Sequence, residues 1–439
     1  MISNYKNFKS DNYLITDEFK EKLAKFISSA TYSPILAIPA FLFINLFFLN
    51  FNDFIAITLT SIFFATVVPI AAVLIWSKRN IGVDIDLSKK EDRFYPLIIG
   101  IISYLIGTIV LYVFHAPAIV TILMLCYFLN TLVVLFINLF WKISIHSVGV
   151  AGPTTALIFA FGPVGSLLGL FIPLVMWSRV YLNKHDMSQV IMGAALGFIL
   201  TTIETYLLLP YYGIYTNIFP ILWTILALML PPITLAVAGF LNNNDVKDGY
   251  TRKIFHFVAF GSTAIFLKYA PLNTTLVLII IGALSVGIAC LAGNAFSWFN
   301  GIRRTSDYPN ETLYVVLPLL STIVWLTIGA ILFDRFIMII GTICVAIGDA
   351  IAEPIGVKFG KHKYNVFSLT GNTSQRSLEG SLSVFIMCAM IIFLFTNNLT
   401  LSLGVGLLSS FIEAISPRGT DNLTLPVTAS IALSIAFMF

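Results

Sequence analysis

Long apolar runs separated by short polar segments dominate this chain of 439 residues. Most runs approach the ~20 apolar residues that a helix needs to cross a bilayer. They are continuous rather than alternating, which disfavours a membrane β-barrel. The pattern predicts an all-α, polytopic membrane protein of about 15 apolar helical segments in two membrane units. We place the segments at 33–51, 54–77, 94–114, 117–141, 148–161, 164–177, 188–210, 217–241, 255–270, 274–292, 311–333, 336–353, 379–396, 399–415 and 423–439.

Two breaks in this pattern organise the chain. Gly162-Pro163 separates two short apolar segments, which we expect to form a helical hairpin because proline interrupts the helix hydrogen bonds. The polar stretch Asn242 to Lys253 is the strongest candidate for a domain boundary. We therefore predict a lead-in over residues 1–32, a first membrane domain over 33–241 and a second over 242–439.

Composition excludes a soluble protein. Hydrophobic residues make up 58% of the chain and charged residues only 10%, more apolar surface than a soluble fold of this length can bury. The four cysteines lie inside apolar runs without metal-like spacing and are expected to be packing residues. No signal-peptide pattern precedes the first apolar segment, so we expect the lead-in to be a cytosolic helix.

The distribution of basic residues predicts the orientation in the membrane. When the segments alternate across the bilayer, Lys268 and Arg335 are the only two of the 25 lysines and arginines assigned to the face opposite the N-terminus. Because basic residues concentrate on the cytosolic side, the N-terminus and all longer polar loops are predicted to be cytosolic.

Three carboxylates of the second half lie within or at the ends of apolar segments: Asp349, Glu353 and Glu413. A charged group inside a bilayer costs on the order of 3 kcal/mol, so the first interpretation of such a residue is functional. Asp349 and Glu353 are four residues apart and share one helical face. Two such carboxylates can hold a magnesium ion that bridges to substrate phosphates. Alternatively, the carboxylates form structural ion pairs with nearby basic residues.

Small and basic residues follow these carboxylates. Gly356 and Gly360 permit close backbone approach, and Ser377 is placed to cap a helix whose N-terminus offers free N–H groups to an anion. Basic side chains can neutralise phosphate charge, so metal, cationic clamp and positioned hydroxyl together predict phosphoryl transfer. The basic residues of this segment are Lys358, Lys361, Lys363 and Arg376.

Four strings of the second half, RKIFH, GDAIAEPIGVKFGK, RSLEGSLSVF and EAISPRGTDNLTLP, occur in an order that resembles the dolichol kinase and phytol kinase family. The resemblance covers roughly residues 248–439. It implies phosphorylation of a prenol-type alcohol or diacylglycerol with CTP as donor. A related signature occurs in CTP-using cytidylyltransferases, so nucleotidyl transfer stays an alternative. We infer catalytic roles for His256, Asp349, Glu353, Glu379 and Asp421, and phosphate-binding roles for Arg252, Lys253, Lys361, Arg376, Ser377 and Asn422.

The first half carries a second constellation. The string SRVYLNKHDMSQ, followed by GAALG, is similar to the third motif of the type 2 phosphatidic acid phosphatases. SIHS and KKEDRFYP are similar to that family's second and first motifs. The resemblance implies that His185 attacks phosphorus and that His146 protonates the leaving alcohol. It also implies a phosphate clamp made of Lys89, Arg93, Ser144 and Arg179.

Two departures stand against an active phosphatase. Gln189 occupies the position of the carboxylate that orients the nucleophilic histidine, and Ile145 replaces the glycine of the second motif. Glutamine can hydrogen-bond a histidine but cannot stabilise an imidazolium by charge. The adjacent Asp186 is a candidate substitute. A fold that has lost phosphatase activity and serves as a lipid-binding platform is the alternative.

Together these observations predict a membrane lipid kinase fused to a lipid phosphate phosphatase, with both active sites cytosolic. Its expected ligands are a lipid alcohol or lipid phosphate, Mg²⁺ and CTP; a nucleic-acid partner is not expected, and the oligomeric state stays open. The competing class is a lipid transporter or flippase, because many helices with intramembrane charges also suit a translocation path. The clustering of acidic residues at the cytosolic ends of segments favours the enzyme, and only Glu204 lies deep in an apolar run away from any motif.

Overall fold

The computed structural model describes residues 16–80, 86–87, 89–368 and 374–438, so residues 1–15 of the predicted lead-in lie outside the described part. The described chain is helical apart from one two-stranded hairpin. Within these ranges, eleven helices are long and apolar enough to cross a membrane, or up to twelve if one bent pair near the N-terminus counts as a single span. The predicted all-α, polytopic membrane fold is confirmed.

The chain forms two compact units. Unit 1 comprises Met1–Ala156 and Leu174–Ile214, and unit 2 comprises Leu157–Pro173 and Tyr215–Phe439. The second change of unit falls near residue 215, because the helix that precedes the polar stretch packs within unit 2. Gly239 of this helix lies so close to Ser297 of a later helix that a Cβ on the glycine would collide with the serine backbone. The predicted domain boundary at 242 stays a prediction.

Unit 1 is built from helices that mostly pack against their sequence neighbours. Helices α3 and α4 are joined by a π-helical turn, Phe63–Val67. The helices lying wholly or partly in unit 1 are α1 (Asp17–Ala30), α2 (Ser33–Phe48), α3 (Phe51–Ile62), α4 (Val68–Arg79), α5 (Phe94–Val113), α6 (Ala118–Phe140), α7 (Ile145–Phe161), α8 (Phe171–Tyr181) and α9 (Met187–Leu208).

The predicted hairpin is formed by α7 and α8. Gly162 adopts a positive φ of 65°, where glycine carries no steric cost, and begins a 3₁₀ stretch that runs to Leu170. Gly165 lies against the Leu157 carbonyl with no room for a Cβ. The reversal brings the start of α7 and the end of α8 to the same end of unit 1.

Unit 2 contains most of the remaining helices and the hairpin. Its core is formed by buried side chains of α11, α14, α15, α17 and α19, among them Trp325, Ile340 and Cys388. The elements are α10 (Ile218–Asn243), α11 (Asp248–Tyr269), α12 (Leu272–Ala292), α13 (Ser297–Ile302), α14 (Glu311–Leu332), α15 (Arg335–Cys344), α16 (Ala350–Phe359), β1 (Lys363–Val366), β2 (Ser374–Ser377), α17 (Leu378–Thr396), α18 (Leu399–Ile415) and α19 (Asp421–Met438).

Two features of unit 2 position functional side chains. A π-helical turn, Val345–Asp349, links α15 to α16 and widens the helix where the first predicted carboxylate lies. Strands β1 and β2 pair antiparallel, with Lys363 opposite Ser377 and Tyr364 opposite Arg376. The hairpin thus follows α16 and leads directly into α17. Every predicted apolar segment overlaps one of these helices.

Candidate functional site

Asp349 lies at the end of the π-helical turn and is buried. The Lys253 ammonium on α11 donates to both of its carboxylate oxygens, at 3.0 and 2.9 Å, and to its backbone carbonyl at 2.9 Å. A buried carboxylate is tolerated when it is both charge-paired and hydrogen-bonded. Lys253 supplies both kinds of compensation, so the charge of Asp349 is balanced within the chain.

His256 and Glu353 extend this pair. His256 lies one turn after Lys253 on the same face of α11, and its Nε2 is 3.4 Å from Asp349 Oδ2 and 3.3 Å from the Val345 carbonyl. Glu353 lies one turn after Asp349, with Oε2 at 3.6 Å from the Lys253 ammonium. The two carboxylates share one helical face, as predicted, and they also share one lysine.

The loop between α13 and α14 adds residues that the sequence did not single out. Arg304 donates to the Glu353 carboxylate. The buried Asp307 accepts a hydrogen bond from Arg418 and lies 3.9 Å from an Arg252 nitrogen. Arg304 stands beside another arginine in a predicted cytosolic loop, and Arg418 lies within a quoted motif string. Neither signal distinguishes these residues from the other basic residues of the cytosolic face.

Arg376 is engaged by two acidic residues. It donates to the Glu413 carboxylate and carbonyl, and its second terminal nitrogen is 3.3 Å from Asp421 Oδ2. Burial alone would lower the pKa of Arg376, but the negative charges of Glu413 and Asp421 hold it above its usual value. Arg376 is therefore fixed in its charged form, as a phosphate-binding role requires, but its partners in this structure are acidic side chains.

Three predicted residues lie at the base of the β-hairpin. The Glu379 carboxylate accepts from the backbone N–H groups of Lys361 (3.0 Å) and His362 (3.2 Å), and pairs with His362 Nδ1 at 2.8 Å. The Ser377 hydroxyl caps α17 by accepting from the Gly380 N–H at 3.2 Å, as predicted. A Cβ on Gly360 would lie 2.8 Å from that hydroxyl oxygen, which explains the small residue.

Two cavities of unit 2 meet at a common wall. The first is polar, about 50 Å³ in volume, and is lined by Lys253, Asp349, Arg304, Arg418 and Asp421. The second is largely apolar and measures about 150 Å³ between α10, α11, α12 and α14. Arg252, His256, Pro318 and Asn422 line both.

The hydroxyl groups along the larger cavity do not make it polar. Thr234, Thr263 and Thr322 each donate a 2.8 Å hydrogen bond to a carbonyl of the preceding turn of their own helix. Thr322 also accepts from the Asn422 amide at 3.3 Å, close to the common wall. Because these groups are satisfied, the cavity makes little demand for hydrogen-bond partners and suits a hydrocarbon.

The carboxylates do not fit a preformed magnesium site. Both oxygens of Asp349 are engaged by Lys253, and Glu353 is bound by Arg304. Within the described ranges, no group of three or more His, Cys, Asp or Glu residues is arranged to hold a metal ion. Burial of Asp349 therefore does not call for a metal, since Lys253 compensates it. Magnesium stays a prediction.

The first-half motifs also meet, around His185 in unit 1. The buried Arg93 donates to Asn138 Oδ1 at 3.2 Å and to the Ile143 carbonyl at 3.0 Å. Its second terminal nitrogen lies 3.5 Å from His185 Nε2. The first and third phosphatase-like motifs are thus side by side.

Gln189 lies beside His185, at the position where the phosphatase resemblance implies a carboxylate. Its Oε1 lies 2.7 Å from His185 Nδ1. Asp186 is not the substitute, because its carboxylate caps α9 by accepting from the Gln189 N–H at 2.8 Å. Burial and the positive charges of Arg93 and Arg179 lower the pKa of His185 to about 3. The hydrogen bond to Gln189 offsets this effect only in part. His185 is therefore neutral at physiological pH.

The remaining predicted residues of unit 1 differ in burial and lie around His185 and Gln189. Arg179 is buried and donates to Ser28 Oγ at 2.6 Å and to Asp86 Oδ2 at 3.2 Å. Ser144 and His146 are buried at the start of α7, where the His146 ring packs against Tyr32. Lys89 is exposed.

The GAALG string joins α9 to α7. A Cβ on Gly193 would lie 2.6 Å from the Ser144 carbonyl, and one on Gly197 would lie 2.9 Å from the Val148 carbonyl. These glycines let α9 approach the start of α7 closely. The same approach brings the Ser144 N–H within 3.3 Å of the Gln189 carbonyl.

Comparison with known proteins supports the kinase resemblance only. A stretch of 100 residues is 28% identical to the phytol kinase of Synechocystis sp. (strain ATCC 27184 / PCC 6803 / Kazusa). It covers 21% of this chain and 41% of that protein, so the chain matches less than half of the relative's length. No family model and no solved structure matches the chain. The phosphatase resemblance of the first half stays a prediction.

Proposed function

We propose that unit 2 is a membrane lipid kinase that transfers a phosphoryl group from CTP to the hydroxyl of a prenol-type alcohol. The observation that carries this proposal is the common wall of the two cavities. An apolar chain in the larger cavity would place its hydroxyl at Arg252, His256 and Asn422, facing the charged groups of the polar cavity. The similarity to phytol kinase is in keeping with this chemistry.

The size of the apolar cavity favours a single-chain substrate. A cavity of about 150 Å³ is of the size that accepts a benzene molecule in other proteins, which is roughly one isoprene unit. Two acyl chains would not enter it side by side. We therefore expect prenols to be phosphorylated in preference to diacylglycerol.

The residues at the wall suit proton removal from the alcohol. His256 Nε2 faces the Val345 carbonyl and the Asp349 carboxylate, which are both acceptors, so this nitrogen carries the hydrogen. Nδ1 then bears the lone pair that can take the proton. The alcohol oxygen forms a bond to the γ-phosphorus while the bond to the β–γ bridging oxygen breaks, and CDP leaves. Arg252, Lys253 and Arg418 are the cations placed to balance the phosphate charge.

Purified protein in lipid nanodiscs tests this proposal. We expect γ-labelled CTP to transfer its label to phytol or another prenol, and CDP to be released. Release of pyrophosphate with a lipid phosphate as acceptor would instead favour the cytidylyltransferase. If no lipid alcohol is labelled from either CTP or ATP, the kinase proposal is wrong, and a transporter becomes the leading hypothesis.

We also propose that the β-hairpin and the charged loops of unit 2 face the cytosol, in accordance with the distribution of basic residues. Asn365 on β1 is exposed, and Cys126, Cys344 and Cys388 are buried, but Cys290 is only partly buried. The introduced cysteine is therefore best placed in a Cys290→Ser background. In intact cells, Asn365→Cys should resist a membrane-impermeant maleimide and react only after permeabilisation. Labelling of intact cells would contradict the proposed orientation and place the hairpin on the outer face.

A second candidate activity, lipid phosphate hydrolysis, is favoured by the state of His185. Since Gln189 Oε1 is an acceptor, Nδ1 carries the hydrogen, and Nε2 presents its lone pair beside Arg93. That is the form of a nucleophilic imidazole. His185→Asn should abolish phosphate release from lipid phosphates and leave kinase activity intact. If wild-type protein releases no phosphate, unit 1 is a platform without this activity, and Gln189→Asp tests whether a carboxylate restores it.

A further inference from the structure

We infer that Arg304, in the loop between α13 and α14, binds the phosphates of the donor nucleotide and is held by Glu353 when no nucleotide is present. This inference rests on the proposed kinase function and extends it to a residue that no sequence motif marked. It also gives Glu353 a role other than metal binding: Glu353 pairs with a phosphate-binding arginine and releases it when the nucleotide binds.

The position of Arg304 supports this role. Its side chain is largely buried and lines the polar cavity together with Lys253 and Asp349. One guanidinium nitrogen is hydrogen-bonded to Glu353, while Nε is buried without a hydrogen-bond partner. A buried donor without an acceptor is costly and rare in native folds. A phosphate oxygen entering the cavity would satisfy it, and guanidinium groups bind phosphate through two parallel hydrogen bonds.

The backbone beside Arg304 is fixed. Asp248, the first residue of α11, accepts from the N–H of Thr305 at 2.7 Å and from its hydroxyl at 2.8 Å. Burial tends to raise the pKa of Asp248, but these hydrogen bonds and the charge of Arg304 hold it below its usual value. The loop is therefore tied to the helix that carries Lys253, so Arg304 can change partner by side-chain rotation alone.

Glu353 is suited to give up this arginine. Its carboxylate is within reach of two cations, Arg304 and Lys253, so it keeps a counter-ion when Arg304 leaves. A nucleoside triphosphate brings several negative charges and attracts the arginine more strongly than one carboxylate does. The exchange swaps one ion pair for another and leaves no buried charge unpaired, which limits its cost.

The neighbouring residue provides a matched control. Arg303 donates through Nε to Asn300 Oδ1 at 3.0 Å, and its Nη1 is 3.2 Å from Glu311 Oε1. It does not line the polar cavity. Two adjacent arginines thus differ in surroundings but not in chemistry.

The test uses full-length protein in nanodiscs with magnesium present, measuring CTP binding and steady-state kinetics. We expect Arg304→Gln to raise the Kd and KM for CTP at least tenfold with the prenol KM unchanged, and Arg303→Gln to change them less than twofold. Glu353→Gln should leave the Kd for CTP unchanged or lower it about threefold, because a competitor for Arg304 is removed.

Each outcome decides the inference. Equal CTP Kd values for wild-type protein and Arg304→Gln overturn it, whether or not the protein phosphorylates an alcohol. If Arg304→Gln does not fold, Glu353→Gln decides: a tenfold weaker CTP affinity would make Glu353 part of the nucleotide or metal site rather than a removable partner. If CTP is bound but no alcohol is phosphorylated, the proposed function fails while the Arg304 assignment is still judged by affinity.

Discussion

The two candidate sites of this protein balance charge in opposite ways. In unit 2, Asp349 and Glu353 are each bound by a cation, so the basic groups are neutralised before any substrate arrives. In unit 1, a neutral histidine lies beside Arg93, and an uncharged Gln189 stands where the phosphatase resemblance implies a carboxylate. A site built from ion pairs suits a highly charged donor, whereas a neutral imidazole beside an arginine suits nucleophilic attack without a carboxylate partner.

The largest expected effect is the loss of kinase turnover when Asp349 of unit 2 is neutralised. Asp349→Asn removes the charge that holds Lys253 and faces His256, and we expect kinase turnover to fall about a hundredfold or more. Asp86→Asn, which removes a carboxylate next to Arg179 in unit 1, should change kinase turnover less than twofold. Steady-state kinetics with saturating prenol and CTP measures both variants.

Asp349→Asn should also change the stability of the protein. Loss of its partner leaves the buried Lys253 with Glu353 as its remaining counter-ion, so the cost should be less than the ~3 kcal/mol expected for an uncompensated buried charge. Adding Lys253→Gln to Asp349→Asn should recover thermal stability but not turnover. Near-normal turnover in Asp349→Asn would show that the carboxylate is structural and that the site is wrongly assigned.

A smaller effect is expected in the apolar cavity. Gly282 on α12 lines the cavity, and the nearest atom to an added Cβ is Pro231 Cβ at 4.0 Å, so a side chain would enter the space without a clash. Gly282→Leu should raise the KM for a prenol about tenfold, since lost apolar contacts of this size are worth 1–3 kcal/mol, and leave the KM for CTP unchanged. Gly287→Leu is the control, because Gly287 is also open but lies outside the cavity lining. Equal prenol KM values in the two variants would place the lipid elsewhere.

The hairpin base should matter less. Glu379 accepts two backbone N–H groups, and a glutamine carbonyl oxygen can still accept hydrogen bonds there. We therefore expect Glu379→Gln to lower turnover by less than about threefold while making the hairpin more sensitive to limited proteolysis. A hundredfold loss would show that Glu379 takes part in the chemistry, as the family resemblance implies.

The last prediction concerns the stability of unit 1 as a function of pH. The pKa of His185 is about 3 in the folded protein and about 6.5 in an unfolded chain. As the pH falls, the unfolded state therefore binds the extra proton before the folded state does. The free energy of unfolding then decreases by about 1.4 kcal/mol for each pH unit below 6.5, until the pH reaches the folded-state pKa. His185→Asn should show a shallower decline of Tm between pH 6.5 and 4.5. Parallel declines would mean that the buried imidazole does not contribute.

Local sequence signals were sufficient for the helices and for the α7–α8 hairpin. Apolar run lengths give the segments, and Gly162 reverses the chain at the predicted place. The division into compact units could not be read in the same way. Helix α10 belongs to unit 2 because Gly239 and Gly301 let it approach α13, a contact between residues far apart in sequence.

The candidate site shows the same limit. Lys253 and Asp349 were both singled out, but their pairing depends on the packing of α11 against the α15–α16 bend. Lys253 is thus the cation that accompanies the buried carboxylate in this structure, and the predicted magnesium stays a prediction. Arg304 was missed because nothing in the sequence separates it from Arg303; only the partners of each side chain do.

The ion pairs of unit 2 have a consequence for turnover under the proposed function. A phosphorylated prenol would carry its new negative charge at the common wall, where Arg252 would retain it, with Arg304 nearby in the polar cavity. Asp349 and Glu353 remain within reach of Lys253 and Arg304 and compete with the bound phosphate for them. Under the proposed function, we expect the acidic residues to hasten departure of the product into the membrane and so to limit product inhibition.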